Sequence, residues 1–334
     1  MSSYKYSGLT RLTTPTNSFV TYYPQCREWA ELQQDIFWPA KELGLKKDLQ
    51  SVRTELNEAE LHGLLFSQAI LARLEVIVGN DYWTNFIAHA FPRPEVIRMA
   101  TCFSNVELSS HGEFYIELNR LLGNDTDEFY ESFNKDKFLK ERFDFIHSFA
   151  NSKDELIASA ALALIEGVVL FSVFGFFVGF NRNGFNFIPS FCAGIAGSIR
   201  DENLHSTASA YLHNTLLSEL ESNGIEVDKK ELQNEIAKIA IAVYRNEVEL
   251  AKRLFEKEGN RVVAYEDVLG FIEDRLDICL TRLNMPKMFN KEPGKISSWF
   301  YTNASTLKHS DFFSGTQLEY RRNWARHKLV FTEE

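Results

Sequence analysis

Six side chains in this sequence have the types and the spacing to hold a pair of metal ions. Glu202 and His205 form a Glu-x-x-His pair within Arg200-Asp201-Glu202-Asn203-Leu204-His205. On a helix, positions i and i+3 project from one face. In four-helix carboxylate proteins such a pair faces the bundle core and supplies metal ligands. One pair arises by chance on any helix, so a two-metal site needs a second pair and two further acids. The sequence offers Glu107 with His111, and the single acids Glu75 and Glu166. In chain order the set alternates a single acid with an acid–histidine pair, one group on each of four long helical segments. Carboxylate oxygens offset the charge of two divalent cations, and imidazoles complete the shell while leaving positions open for dioxygen.

Each residue alone reads more blandly. From spacing alone Glu75 is a solvated glutamate beside an apolar stripe, Trp38 a core residue, and Tyr115 a buried tyrosine. Glu166 is the exception. It is the only charge in the apolar stretch Leu156–Phe180, where an unpaired carboxylate would cost several kcal/mol or be protonated. A metal offsets that cost. At 25 residues the stretch is long enough to span a bilayer. No other segment looks transmembrane, and Arg182 and Asp201 follow soon after it. We read it as the central helix of a protein core, loosened beyond the acid by Gly175, Gly179 and Gly184.

The elements that must carry these residues are helical. Asn57 with Glu60 forms a capping box that opens a helix ending at Gly79-Asn80. A second helix runs from about Glu95 to Leu122 and stops at Gly123. Residues 126–150 form one or two more. After the apolar helix and a Gly/Asn/Pro-rich break comes the helix of Glu202 and His205, ending at Asn223-Gly224. Helical patterning returns at 228–256 and 265–283. Residues 1–30 look irregular, and Phe37-Trp38-Pro39 suggests a helix start packed by a rigid anchor. Strand patterning is scarce and no repeat has a fixed period. The expectation is therefore one large all-helical domain.

Composition narrows the function. The chain has 334 residues, 45% hydrophobic and 25% charged, as in ordinary globular proteins. A net charge of −10 argues against a nucleic-acid binder, which carries a basic face. Cys26, Cys102, Cys192 and Cys279 are scattered without a Cys-x-x-Cys, which fits a reducing cytoplasm and argues against a disulfide scaffold. The N-terminus lacks an apolar secretion signal. Neither a phosphate-binding loop nor a nucleophile elbow competes.

With those residues in view, the chain resembles the small, radical-generating subunit of class I ribonucleotide reductase. The likeness spans about Phe37 to Tyr320. It rests on Arg200-Asp201-Glu202-x-Leu204-His205, Leu74-Glu75-Val76-Ile77-Val78-Gly79, His111-x-x-Phe114-Tyr115, Ile165-Glu166-Gly167 and Phe37-Trp38-Pro39. The resemblance implies a ferritin-like helical bundle with additional helices over 31–320, an irregular segment over 1–30, and a short tail over 321–334 that docks the large subunit. It implies two iron ions, with manganese or a mixed pair as alternatives, held by Glu75, Glu107, His111, Glu166, Glu202 and His205. Tyr115 would be the radical tyrosine. Trp38, Asp201 and His111 would begin the radical-transfer chain to a large subunit that reduces ribonucleotides. Leu170 and Phe174 would help keep the radical dry. A homodimer, dioxygen as co-substrate and a cytoplasmic location are also implied, with no nucleic acid or membrane as partner.

Two features depart from the family pattern. The first pair is usually Glu-x-x-His, but Leu108 stands three residues before His111 and the glutamate is at Glu107. In a regular helix Glu107 and His111 lie about 40° apart around the axis, and a π-bulge would bring them closer. Second, the end of the chain is short and rather basic. Tyr320 is its last tyrosine and thus the relay candidate, and Phe331 with Glu333 and Glu334 would form a minimal docking peptide that orders on binding. The alternatives are a ferritin-like dimetal oxygenase or ligand-binding oxidase, and a non-catalytic helical or membrane protein.

Overall fold

The computed structural model describes residues 4–182 and 184–306, and no β-strand forms among them. Tyr320 and the expected tail over 321–334 lie outside the described residues. Contacts divide the chain after Ser297.

The N-terminal region is more ordered than its composition suggests. Pro24–Asp35 is a helix, α1, with Pro24 in its first turn. Residues 4–23, although without regular structure, are tied down by remote carboxylates. Glu155 accepts from the Tyr6 amide, Glu95 from the Tyr22 and Tyr23 amides, and Glu219 from the Leu12 amide and the Tyr23 hydroxyl. These acceptors are far away in sequence, so sequence periodicity carries no sign of them. Pro39 leads only into a 3₁₀ turn, Ala40–Glu42, followed by the short helix α2, Leu49–Thr54.

Helix α3, Glu58–Val76, starts at the expected capping box. The Asn57 side chain accepts from the Glu60 amide, and the Glu60 carboxylate accepts from the Asn57 amide. It does not end at Gly79-Asn80. The chain continues as a π segment, Ile77–Ile87, and a last turn, Ala88–Ala90. Gly79 serves a close approach here rather than a stop. A Cβ on it would lie 2.9 Å from Glu107 Cβ and 3.0 Å from Leu108 Cγ.

Helix α4, Pro94–Val106, runs through a second π segment, Glu107–His111, into α5, Gly112–Leu122, which stops at Gly123 with φ 81°. A single turn, Asp127–Tyr130, precedes α6, Lys137–Ala150. The apolar stretch forms α7, Glu155–Val168, and α8, Phe171–Val178. Among the described residues two spans, not one as expected, are long and apolar enough to cross a membrane: Glu58–Ala90, whose most apolar window is 56% buried, and Glu155–Asn181, whose most apolar window is wholly buried inside the protein. The break in the latter falls at Val169-Leu170, before the glycines expected to cause it. Leu170 takes a left-handed φ of 74°. Side chains from other helices stabilise the break. Arg275 Nε donates to the Gly167 carbonyl, while the Ser172 amide and hydroxyl donate to Glu247, which also pairs with Arg142.

Helix α9, Pro189–Ser222, is the longest among the described residues, and Asp48 accepts from the Ser190 and Phe191 amides at its start. Helices α10, Lys229–Leu254, and α11, Tyr265–Arg282, pack on each other and on α7. The last described element is α12, Lys295–Thr306. Helix α9 lies along α7, α5 along α3, and α4 against the first π segment. The four strands of helix that carry the candidate ligands therefore enclose one interior.

Candidate metal centre

All six candidate ligands meet in that interior, none more than 5% exposed. They form two overlapping quartets, Glu75–Glu107–His111–Glu202 and Glu107–Glu166–Glu202–His205. Within each, one donor atom per residue lies within 4.8 Å of the others. Glu107 and Glu202 belong to both. Glu107 directs Oε2 to His111 Nδ1 at 2.9 Å and Oε1 to His205 Nδ1 at 2.6 Å. Glu202 directs Oε1 to His111 Nδ1 at 3.2 Å and Oε2 to His205 Nδ1 at 3.2 Å. Glu75 Oε2 faces only His111, at 3.5 Å, and Glu166 Oε1 faces only His205, at 3.7 Å. Two carboxylates are thus shared between the imidazoles, where they would bridge a metal pair, and two face one imidazole each, where they would be terminal ligands.

The displaced glutamate reaches the centre through the π segment Glu107–His111. A π turn accommodates one more residue than an α turn, so Glu-x-x-x-His spans the face that Glu-x-x-His would span in a regular helix. Leu108 next to Glu107 is 41% exposed, whereas Glu107 is fully buried.

The donor set suits two divalent cations. Glu75 Oε1, Glu107 Oε1, Glu202 Oε2 and His205 Nδ1 are buried without a partner of hydrogen-bond geometry. Such groups are expensive to bury unless something binds them. Four carboxylates and two imidazoles match hard to borderline metals. The electrostatics carry the same message. Desolvation, then the charge of Glu107, raises Glu75 well above the usual carboxylate range. Desolvation, then Glu107 and Glu202, does the same to Glu166. Burial works against charge on His111 and His205 too, but Glu107 and Glu202 override it, lifting His111 well above its ordinary value and His205 to about 9. Glu107 is held well below its ordinary value because the two imidazoles outweigh its desolvation.

A second layer of hydrogen bonds orients the ligands. Asp201 Oδ2 accepts from Trp38 Nε1 at 2.7 Å and lies 3.2 Å from His111 Nε2. The Trp38 and His111 rings stack with centroids 5.5 Å apart. Burial opposes the Asp201 charge, but Arg200 and His111 lower its pKa overall. Gln33 on α1, 1% exposed, donates to Asp201 Oδ1 at 3.3 Å and faces His205 Nε2 at 3.1 Å. The Tyr115 hydroxyl, fully buried, donates to Ser198 Oγ at 3.2 Å. Burial, then the charge of Glu75, raises its pKa well above that of a free phenol. Leu170 and Phe174 are buried as well.

Sequence reasoning missed three residues at this centre. Gln33 belongs to no motif and lies on α1, a helix the sequence patterning did not announce. Trp83, whose indole donates to Glu166 Oε1 at 2.6 Å, lies beyond the expected helix end. Ser198 carries no motif, although it sits one turn before Glu202 on the same helix.

Comparisons with known proteins agree with this geometry. The family model described as "Ribonucleotide reductase, small chain" matches residues 15–296. The chain is 25% identical over 305 residues to the ribonucleoside-diphosphate reductase small subunit of Alcelaphine herpesvirus 1, covering 87% of this chain and 92% of the viral one. It is 24% identical over 298 residues to the corresponding subunit of Saimiriine herpesvirus 2, covering 85% and 88%. Among solved structures, dimanganese(II)-NrdF of Streptococcus sanguinis superposes with a TM-score of 0.74 at 17% identity, covering 86% of this chain and 99% of that one. This last likeness concerns the fold.

Proposed function

The chain belongs to the ribonucleotide reductase small-chain family, and from that membership we propose how its residues divide the work. Glu75, Glu107, His111, Glu166, Glu202 and His205 hold two metal ions, Tyr115 is the residue oxidised, and Trp38, Asp201 and His111 pass the oxidising equivalent on. The observation that carries this reading is the sharing of Glu107 and Glu202 between the two quartets. A chance cluster of acids has no reason to turn one oxygen of each of two carboxylates toward each of two imidazoles.

When bound, the metal pair supplies one-electron oxidising power drawn from dioxygen. The chain's own residues do the rest. Tyr115 is sealed from solvent, which protects an oxidised phenol from quenching, and Ser198 accepts its hydroxyl hydrogen. Asp201 joins the Trp38 indole to the His111 imidazole through one carboxylate oxygen. That path favours a reductase subunit over a dimetal oxygenase, which needs no route out of the centre. Iron is the expected metal, and the dimanganese(II) relative keeps manganese and a mixed pair in view.

The partners proposed are the large subunit and a second copy of this chain, since the relatives are named as small subunits. The division into an N-terminal segment over 1–30, a dimetal domain over 31–320 and a docking tail over 321–334, with Tyr320 as relay, is part of the same proposal.

The test is electron paramagnetic resonance after loading with ferrous iron and oxygen, and separately with manganese. A tyrosyl signal that disappears in Tyr115→Phe supports the reading. A signal of equal intensity in that variant rules out Tyr115 as the radical site.

A further inference from the structure

We propose that Trp83 is a positioning residue for Glu166, setting which oxygen that glutamate presents to the half-site it shares with His205. The inference rests on the dimetal reading above and adds a residue that reading does not use. Trp83 Nε1 donates to Glu166 Oε1 at 2.6 Å, and the indole is wholly buried. Phe103 meets the ring edge-on at 4.9 Å, and His205, another ligand of the same half-site, lies against it at 5.7 Å. The indole is thus clamped between two aromatic rings and the carboxylate it serves.

The π segment makes this contact possible. Glu75 and Trp83 are eight residues apart on one continuous helical strut. In a straight α-helix they would point about 80° apart. The wider turn over Ile77–Ile87 narrows that angle, so both side chains reach the same interior.

A carboxylate can bind a metal through one oxygen, chelate it through both, or bridge two metals. An N–H held on Oε1 in a dry interior fixes the rotation of the carboxylate, and Oε1 is also the oxygen that faces His205 Nδ1 at 3.7 Å, which favours one binding mode over the others. Glu75, the corresponding terminal acid of the other half-site, has a buried Oε1 with no such partner. The two half-sites are therefore unequally prepared. The terminal carboxylate Glu166 is held by an indole N–H, and its counterpart Glu75 is not.

The experiment is a titration of the metal-free full-length protein with Mn(II), following free Mn(II) by electron paramagnetic resonance to obtain two stepwise dissociation constants. Trp83→Phe keeps an aromatic ring and removes the donor. One of the two constants should weaken by about 10- to 100-fold, the usual effect of losing a group that orients a ligand, while the other changes by less than about threefold. Because the smaller ring also loosens packing, a second variant carries 3-benzothienylalanine at position 83, which replaces only the N–H by sulfur. It should reproduce the selective loss. Unchanged constants in both variants, or a loss in Trp83→Phe that the benzothienyl side chain restores, overturns the positioning role. Wild-type protein that takes up fewer than two Mn(II) overturns the dimetal reading itself, a result distinct from either.

Discussion

Glu107 and His111 are four residues apart, yet Glu107 Oε2 lies 2.9 Å from His111 Nδ1 because the helix widens into a π turn between them. The family spacing is lost in sequence and kept in space. The extra residue is absorbed locally, so α4 and α5 keep their places on either side of it.

If the π turn is an absorbed insertion, removing one residue should restore an ordinary helix without moving its ends. Deletion of Leu108 should leave a folded protein that still binds two metals per chain. Insertion of an alanine after Leu108 should abolish binding at both half-sites, because Glu107 serves both. Metal content by mass spectrometry, with a thermal melt, distinguishes the two. A deletion variant that folds but binds no metal would contradict the compensating role of the bulge.

Trp38→Phe should retain close to the wild-type tyrosyl yield, since the indole N–H goes to Asp201 rather than to a ligand and phenylalanine keeps a ring against His111. Nucleotide reduction with the large subunit should fall to background, because the N–H to Asp201 is gone. Normal turnover in this variant would refute the transfer path.

Gly197 offers a gentler test of the same path. A Cβ there would sit 2.8 Å from Trp38 Cε2 and 2.9 Å from its Nε1. Gly197→Ala should therefore push the indole off Asp201. We expect metal content and tyrosyl yield near wild type, with turnover reduced by about tenfold or more, as expected when positioning is disturbed. Equal turnover in Gly197→Ala and wild type would show that the indole has room to spare.

His213 predicts part of the acid sensitivity. It is 1% exposed, its Nδ1–H donates to the Leu156 carbonyl, and burial lowers its pKa to about 4. The ordinary value is near 6.5. Its contribution is therefore intact above pH 6.5 and is lost as pH falls toward 4, because only the unfolded chain takes up the proton in that window. The loss should approach roughly 3 kcal/mol. Denaturant unfolding of metal-free protein between pH 7.5 and 4.5 should show a shallower decline in His213→Asn. Identical slopes would assign the acid sensitivity to other groups.

Much of the candidate centre was legible because metal chemistry restricts residue types, and helices repeat them at fixed offsets. Glu202 with His205 needed only the α-helical period. Glu166 stood out because a lone charge in an apolar helix requires a counterpart. Glu75 was legible only as a member of the set, since by itself it sat beside its stripe like any surface glutamate.

Other features had no local signature. The helix expected to stop at Gly79 continues, because that glycine admits Glu107 and Leu108 of a neighbouring strut. The break in the apolar helix falls at Leu170, where Arg275 and Glu247 from other helices take up the freed backbone groups, and not at the glycines further on. Residues 4–23 looked irregular because what orders them is three distant carboxylates.

By itself, then, the sequence determined an all-helical bundle and the chemical types that line its interior, since hydrophobic period and ligand type are local properties. Only the tertiary structure decided that Glu107 reaches the centre, that Glu107 and Glu202 are the shared pair, and that Gln33, Trp83 and Ser198 surround it. Those relations depend on how helices distant in sequence approach one another, and on π turns whose extra residue becomes visible only when the neighbouring helix is in place.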